Sequence, residues 1–212
     1  DGGASWTMLP GGTSPDKVED YCGGQCWYDN VIAAAPDDEN VVFAAGQFDY
    51  GIGSGGIYRS DDGGMTWKNL GWDQHPDHHA LAFDPNNSMN VLIGSDGGVW
   101  YSSDRGGRPN ASDPLSAVTW QNLNGFGLQI GQFTSIATVP QNPVKFWGGT
   151  QDNGTLQGFP SKNWYDMTSG DGGQVLVDHT VDSTCEFGIP GPSCFIYGTY
   201  YGISPYRIAD GG

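Results

Sequence analysis

The stretch Ser60-Asp61-Asp62-Gly63-Gly64-Met65-Thr66-Trp67 decides the fold, because its pattern S-x-D-x-G-x-T-W is that of a tight turn between two strands. An aspartate side chain accepts hydrogen bonds from backbone N–H groups a few residues further on, glycine allows positive φ, and threonine adds a second local bond. We therefore expect Asp62 to be bound by its own backbone and Trp67 to pack under the turn. The stretch predicts a β-hairpin corner and no chemistry of its own; its defining residues are Ser60, Asp62, Gly64, Thr66 and Trp67.

Parts of the same pattern recur along the chain. Residues 1–6 read DGGASW, the second half of the pattern, and residues 210–212 read DGG, a truncated copy. Ser102 and Asp104 open another corner, whose Thr-Trp pair at 119–120 comes late because an insertion containing Pro, Asn and Ser separates the two halves. Because the chain begins and ends inside this motif and does not start with Met, we expect a processed or partial product.

The composition indicates an all-β protein. A chain of 212 residues can bury a substantial core as one domain, which we place at 1–212. Thirty-five glycines, 13% aromatic residues and 15% charged residues are typical of short strands joined by tight turns. No long window rich in Ala, Leu, Glu and Lys shows an apolar period of about 3.6 residues, so we expect almost no helix.

The charge of the chain restricts its partners. Its formal net charge is −16 with only eight Lys and Arg residues, which disfavours nucleic acid and anionic membranes because phosphate binding needs clustered cations. The same charge favours divalent cations, neutral glycans or basic partners. No apolar run approaches the roughly 20 residues that a membrane span requires, so we expect no membrane insertion.

The order of strands repeats. Four segments, at about 31–70, 79–123, 131–167 and 174–208, each predict a first strand, a turn rich in Pro, Asp or Asn, and further strands, the last segment lacking its fourth. Four-stranded units at such spacing are typical of a β-propeller, whose antiparallel blades bury one another's faces. A further strand at 5–9 has no partners before it. It either completes the last of four blades or belongs to a larger ring.

This pattern resembles the Asp-box (BNR) repeat propellers, which include sialidases, sortilin-like receptors and family 74 glycoside hydrolases. The resemblance covers nearly the whole chain at the level of blade pattern, and the corner at 60–67 is its specific part. Sialidases of that group hold a carboxylate with three arginines. This chain offers four arginines, two of them in the second corner and its insertion, so we expect no sialidase triad; the four are Arg59, Arg105, Arg108 and Arg207.

The four cysteines form two close pairs, Cys22/Cys26 and Cys185/Cys194, each in a loop rich in Gly or Pro. Two local disulfides in an oxidising compartment are the simplest interpretation, so we expect a secreted or cell-surface protein. A metal site that uses Cys22 and Cys26 is the alternative, although a single pair with this spacing is a weak zinc signal.

A polar ligand site is predicted on one face of the propeller. Loops that join second to third strands, and one blade to the next, lie opposite the corners and collect acids, amides and aromatic residues, which is the composition of a polar ligand site. Aromatic faces suit sugar rings, and amides suit sugar hydroxyls. The candidate ligand-binding residues are Asp49, Tyr50, Trp72, Gln151, Asn153, Tyr200 and Tyr201.

The segment His75-Pro76-Asp77-His78-His79 is a candidate metal site. Imidazole and carboxylate suit zinc and related ions, and His75, Asp77 and His79 project the same way if the segment is extended. Calcium is the other ion that the acidity favours, although no calcium-loop motif is present. The alternative is a surface loop in which Asp77 caps a turn and His79 enters a strand.

Three aspartates are candidate catalytic groups if the protein is an enzyme. Asp96 and Asp171 each precede Gly-Gly, and Asp152 lies between Gln151 and Asn153. Two carboxyls about 5–10 Å apart could serve as acid and base on a glycosidic bond. The alternative is that each makes an Asx-type turn with the residues that follow.

These observations predict an extracellular propeller segment that recognises a polysaccharide or protein as a surface scaffold, rather than an enzyme. One alternative is a glycoside hydrolase that acts on a polysaccharide through paired aspartates. Another is a structural subunit of a cell-surface assembly whose edge strands pair with neighbouring chains. Two carboxyls lining one cleft beside aromatic residues would favour hydrolysis, and turn-bonded carboxyls would favour the scaffold.

Overall fold

The computed structural model describes residues 3–11, 21–47, 56–71, 75–107, 119–125, 131–139, 142–158, 164–178, 195–200 and 204–209. Within these ranges the chain forms strands and turns and no helix, which confirms the all-β prediction. No helix that could cross a membrane is present there either. The chain divides into two compact units, Asp1–Gln129 and Ile130–Gly212, each with two antiparallel sheets.

The first unit holds two four-stranded sheets, each with its strands in chain order. The first sheet consists of β1 (Val31–Ala35), β2 (Asp38–Ala45), β3 (Ile57–Ser60) and β4 (Lys68–Asn69). The second sheet consists of β5 (His78–Asp84), β6 (Asn87–Ser95), β7 (Gly98–Ser102) and β8 (Gln121–Asn122).

The second unit holds a four-stranded and a three-stranded sheet. The former consists of β9 (Phe133–Val139), β10 (Asn142–Thr150), β11 (Thr155–Gly158) and β12 (Trp164–Thr168). The latter consists of β13 (Val175–Asp178), β14 (Phe195–Tyr200) and β15 (Ser204–Ala209). The four sheets fall at the four predicted blades, the last without a fourth strand among the described residues. Closure of the blades into one propeller stays a prediction.

The strand predicted at 5–9 does not form. Residues 5–11 have no strand pairing, and the side chains of Trp6 and Met8 are 89% and 96% exposed. An alternating apolar pattern makes a strand only where a sheet edge accepts its backbone. Instead, Leu9 lies against Gly64 of the Ser60–Trp67 corner.

The core of the first unit follows from the alternation of side chains along β2. Val41, Phe43 and Ala45 point to one face and join buried residues of both sheets, including Ile93 and Trp100. Ala44 points to the opposite face, where it packs with Tyr58 and Trp67 beneath the corner. This second cluster is the packing predicted for Trp67.

The second unit has its own core. Val139, Trp147, Val175 and Ile196 are buried together, and each is at most 2% exposed. They come from first and second strands of its two sheets, so alternate positions of neighbouring strands again supply the apolar face.

The Ser60–Trp67 corner contains the local hydrogen bonds that its sequence predicts. The Asp62 carboxylate accepts from the Thr66 backbone N–H and from the Thr66 hydroxyl, both at 2.7 Å. The Ser60 hydroxyl donates to Asp62 at 2.8 Å and accepts from the Gly64 N–H at 2.8 Å. These bonds, the backbone N–H of Thr66 first, hold the pKa of Asp62 below its usual range. Asp62 is therefore committed to its own turn.

The second corner forms in the same way despite its insertion. The Ser102 hydroxyl donates to Asp104 at 2.8 Å and accepts from the Gly106 N–H at 2.8 Å. The Thr119 hydroxyl, fifteen residues beyond Asp104, donates to the Asp104 carboxylate. The late Thr119 thus takes the place that Thr66 has in the first corner.

Candidate functional site

A loop closed by a disulfide positions the first part of the site. Cys22 and Cys26 are bonded, as predicted, and the turn between them is closed by a bond from the Gln25 N–H to the Cys22 carbonyl at 2.6 Å. The N–H groups of Tyr28 and Asp29 both donate to the Gln25 carbonyl, at 2.7 and 3.0 Å. The backbone from 22 to 29 is therefore a compact series of turns that fixes the side chains that follow Cys26.

This loop meets the segment before β5 and the end of β6. The Tyr28 hydroxyl donates to Asp96 Oδ2 at 2.7 Å, while His79 Nε2 lies 2.7 Å from Asp96 Oδ1. His79 Nδ1 lies 3.1 Å from the Tyr28 carbonyl oxygen, and the two rings meet edge to face at 4.7 Å between centroids. Gln25 Nε2 donates to Asp77 Oδ1 at 3.2 Å. We call Tyr28, Asp29, Asp77, His79 and Asp96 the acid cluster.

Asp29 is the buried member of the acid cluster. Its side chain is fully shielded from solvent, and among the described residues neither carboxylate oxygen accepts a hydrogen bond of standard geometry. Burial, reinforced by the neighbouring Asp77 carboxyl, raises the pKa of Asp29 to about 6. The cluster thus holds a carboxyl that stays protonated in mildly acidic solution, beside Asp96, whose two oxygens accept from Tyr28 and face His79.

Ionisation of Asp29 is expected to lower the stability of the first unit, relative to the Asp29→Asn variant, as the pH rises from about 4 to about 6. The pKa of Asp29 rises from 3.8 to about 6 on folding, so in this window the folded state binds more protons than the unfolded state. Ionisation of the buried carboxyl then opposes folding. His78, whose pKa falls to about 4 on folding, has the opposite effect in this window, but it is present in both proteins. The Tm of Asp29→Asn minus that of wild type should therefore increase between pH 4 and pH 6, which thermal unfolding at pH 4, 5, 6 and 7 would measure.

The matched control for this measurement is Asp61→Asn, since the Asp61 side chain is half exposed. Hydrogen bonds lower the pKa of Asp62 and Asp84, so their stabilisation is lost as the pH falls below this window and does not mimic the effect. An equal pH slope in wild type and Asp29→Asn would contradict the assignment.

The predicted metal ligands His75, Asp77 and His79 do not form a convergent set in the structure. Asp77 has a positive φ of 61°, so the segment is not extended and alternate side chains do not share a face. Both ring nitrogens of His79 face oxygen acceptors, and His75 Nδ1 lies 3.0 Å from the Pro76 carbonyl oxygen. Carboxylate oxygens of Asp77 and Asp96 lie within 4.8 Å of each other, and such donors suit Ca²⁺ better than zinc.

His78, between the predicted ligands, is a core residue. It is 1% exposed, and its Nδ1 lies 2.8 Å from the Gly46 carbonyl oxygen. Burial lowers the pKa of His78 to about 4, so the ring is neutral in ordinary solution.

The second unit carries the other predicted acids, Asp152 and Asp171, where two backbone segments pass close to each other. We call this place the crossing. Asp171 Oδ1 accepts from the Asp152 N–H at 3.1 Å, and Asp152 has a φ of 62°. Asn153 Nδ2 donates to the Gln151 carbonyl at 3.1 Å. Tyr200, 44% exposed, lies against Gly170 of the same crossing. The structure therefore brings Gln151, Asp152, Asn153, Asp171 and Tyr200 to one place in this unit, with Asp171 bonded to the backbone of a distant segment and not within its own turn.

The described arginines have structural partners. Arg59, 6% exposed, donates to the carbonyls of Arg105 and Gly107, at 2.5 and 3.0 Å. Arg105 pairs with Asp37 at 2.7 Å, and Arg207 lies over the Phe195 ring at 4.6 Å. The expectation that the chain has no sialidase triad stays a prediction, since Arg108 lies outside the described residues.

Several predicted residues lie outside the described residues: Asp49, Tyr50, Trp72, Arg108, Cys185, Cys194 and Tyr201. Conversely, the sequence analysis missed Trp27, Tyr28 and Asp29. The available signal was their position directly after Cys26, since a closed loop holds the residues that follow it, and Trp-Tyr-Asp combines two aromatic rings with an acid.

Comparison with known proteins identifies a relative by sequence. No family model matches the chain. The chain is 30% identical over 183 residues to a xyloglucanase of Hypocrea jecorina (strain QM6a), a match that covers 75% of this chain and 21% of the relative. The chain therefore spans about a fifth of the length of this relative.

Solved structures of glycoside hydrolases show a weaker likeness. An ancestral family 74 glycoside hydrolase matches with a TM-score of 0.36 and 15% identity, over 84% of this chain and 27% of the other. A family 74 enzyme of Niastella koreensis matches with a TM-score of 0.34 and 16% identity, over 84% of this chain and 30% of the other.

Proposed function

We propose that the chain recognises a polysaccharide of the xyloglucan type, as an Asp-box propeller segment of a secreted or cell-surface protein. The observation that carries this proposal is the 30% identity to a xyloglucanase over three quarters of the chain. The strongly acidic composition and the Cys22–Cys26 disulfide support an extracellular place.

The geometry of the carboxyls favours recognition. The oxygens of Asp96 are held by Tyr28 and His79, and Asp171 is bonded to the Asp152 backbone. Carboxylates fixed in this way have further lone pairs that accept hydrogen bonds from sugar hydroxyls without reorganisation. Asp96 belongs to the first unit, whereas Asp152 and Asp171 belong to the second.

Glycoside hydrolysis is the second candidate function. Hydrolysis needs one protonated and one ionised carboxyl near the scissile bond. The raised pKa of Asp29 beside Asp77, in the same unit as Asp96, is the observation that favours it. In this version Asp96 contacts the sugar, whereas Asp29, which is shielded from solvent, does not touch the substrate and holds its proton next to Asp77.

The test is incubation of the chain with xyloglucan, cellulose, mixed-linkage β-glucan and mannan, scored for retained protein and for released reducing sugar. Recognition predicts retention on xyloglucan without release, and at least a tenfold weaker retention for Asp96→Asn, because the amide replaces one of the two acceptor oxygens by a donor and removes the charge. Asp61→Asn serves as the control, since Asp61 pairs with Arg59 outside the cluster.

Each outcome separates the two functions. Sugar release that disappears in Asp96→Asn and persists in Asp61→Asn would replace recognition by hydrolysis. Neither retention nor release on any of the four polysaccharides would contradict both.

A further inference from the structure

Trp27 is an exposed aromatic side chain in a fixed position. It directly follows Cys26 of the disulfide, and 83% of its surface is open to solvent. Burial of a large aromatic side chain stabilises a fold, and an exposed one lacks this stabilisation. Its exposure on a constrained loop therefore points to a ligand. Since the disulfide and the turn bonds hold the backbone before Trp27, little conformational freedom remains to be lost on binding.

The residue after Trp27 ties it to the acid cluster. The rings of Trp27 and Tyr28 lie 5.6 Å apart between centroids and are tilted by 44°. The Tyr28 hydroxyl donates to Asp96, and the Tyr28 carbonyl oxygen lies 3.1 Å from His79 Nδ1. The backbone of Trp27 is thus held on both sides, by the disulfide before it and by Tyr28, which contacts Asp96, after it.

This arrangement suits a sugar ring. A pyranose has an apolar C–H face and a rim of hydroxyl groups, so it is recognised by an aromatic plane together with fixed hydrogen-bond acceptors at the edge. The exposed ring of Trp27 supplies the plane. Asp96 and His79, whose side chains are 15% and 32% exposed, supply partly exposed polar side chains at the edge.

We propose that Trp27 is the stacking platform for one sugar unit of a polysaccharide, with the hydroxyls of that unit directed towards Asp96. This assignment rests on the proposed function and specifies the place of contact. It makes the Cys22–Cys26 disulfide part of the binding site, because the bond constrains the backbone that carries the ring.

The chain contains a matched control for this test. Trp6 is 89% exposed, comparable to Trp27, but it lies on a segment without strand pairing and its indole N–H donates to the Gly3 carbonyl. Trp6→Ala removes the same side chain from the same unit without touching the acid cluster.

The experiment measures the Kd of wild type, Trp27→Ala, Trp27→Tyr and Trp6→Ala for xyloglucan oligosaccharides by calorimetry. Circular dichroism verifies that each variant is folded. We expect Trp27→Ala to raise the Kd at least about tenfold, Trp27→Tyr to restore most of the affinity, and Trp6→Ala to leave it unchanged. The Cys22→Ser/Cys26→Ser double variant should weaken binding in the same direction.

The outcomes distinguish this inference from the function on which it rests. If wild type binds and Trp27→Ala binds equally well, the Trp27 face meets protein or solvent, and the inference is wrong while the function stands. An equal loss in Trp27→Ala and Trp6→Ala would also overturn it. If wild type binds none of the oligosaccharides, both the inference and the proposed function fail.

Discussion

Replacing Phe43 by alanine is expected to lower the free energy of unfolding of the first unit by about 3–5 kcal/mol. Phe43 is fully buried in β2, within the core shared by the two sheets of that unit, and its ring meets Phe83 edge to face at 5.7 Å between centroids. Removal of the ring loses its burial and leaves a cavity. Urea unfolding followed by tryptophan fluorescence would measure the loss.

Ile32→Ala is the control for the Phe43 prediction. Ile32 lies on the neighbouring strand β1 but is 70% exposed, so its truncation should cost less than about 1 kcal/mol. Similar losses in the two variants would show that the buried core does not depend on the inward face of β2.

A second large effect is expected from Gly154→Ala in the second unit. Gly154 has a φ of +73°, and a Cβ atom there would lie 1.7 Å from the Thr168 carbonyl oxygen, part of the backbone. Its N–H also donates to the Gly170 carbonyl at 2.5 Å, so the two segments cannot separate without losing this bond. Strain and overlap together should cost about 3 kcal/mol or more, measured as the shift of the unfolding midpoint in urea.

Gly24→Ala separates the two causes of that effect. Gly24 has a similar φ of +82°, but nothing lies within 4 Å of the position of an added Cβ. This variant should pay only the conformational cost of about 1–2 kcal/mol. If Gly154→Ala costs no more than Gly24→Ala, the close crossing that carries Asp152 and Asp171 does not exist as described.

The features that could be predicted, the corner bonds and the strand order, depend on residues that are close together in the sequence. The bonds of Asp62 with Thr66 span four residues, so the pattern contains all the atoms involved. The strand order could be predicted because turn residues separate the apolar runs, as Asp84 to Asn87 do between β5 and β6.

What could not be predicted depends on distant contacts or on backbone conformation. Asp29 is buried beside Asp77, and no local pattern indicates that residues 48 positions apart in the sequence meet. The positive φ of Asp77 turned an alternating His-x-Asp-x-His segment into a bend, and this separated the predicted metal ligands. The missed burial of Asp29 and the unpredicted bend at Asp77 both belong to the contact between these two residues.

The second corner indicates where the chain tolerates an insertion. Asp104 and Thr119 remain bonded although fifteen residues separate them, whereas the equivalent pair in the first corner is four residues apart. The entropy cost of closing a longer loop grows only with the logarithm of its length. A further peptide can therefore be inserted between the aspartate and its threonine partner without disturbing the sheet to which they belong.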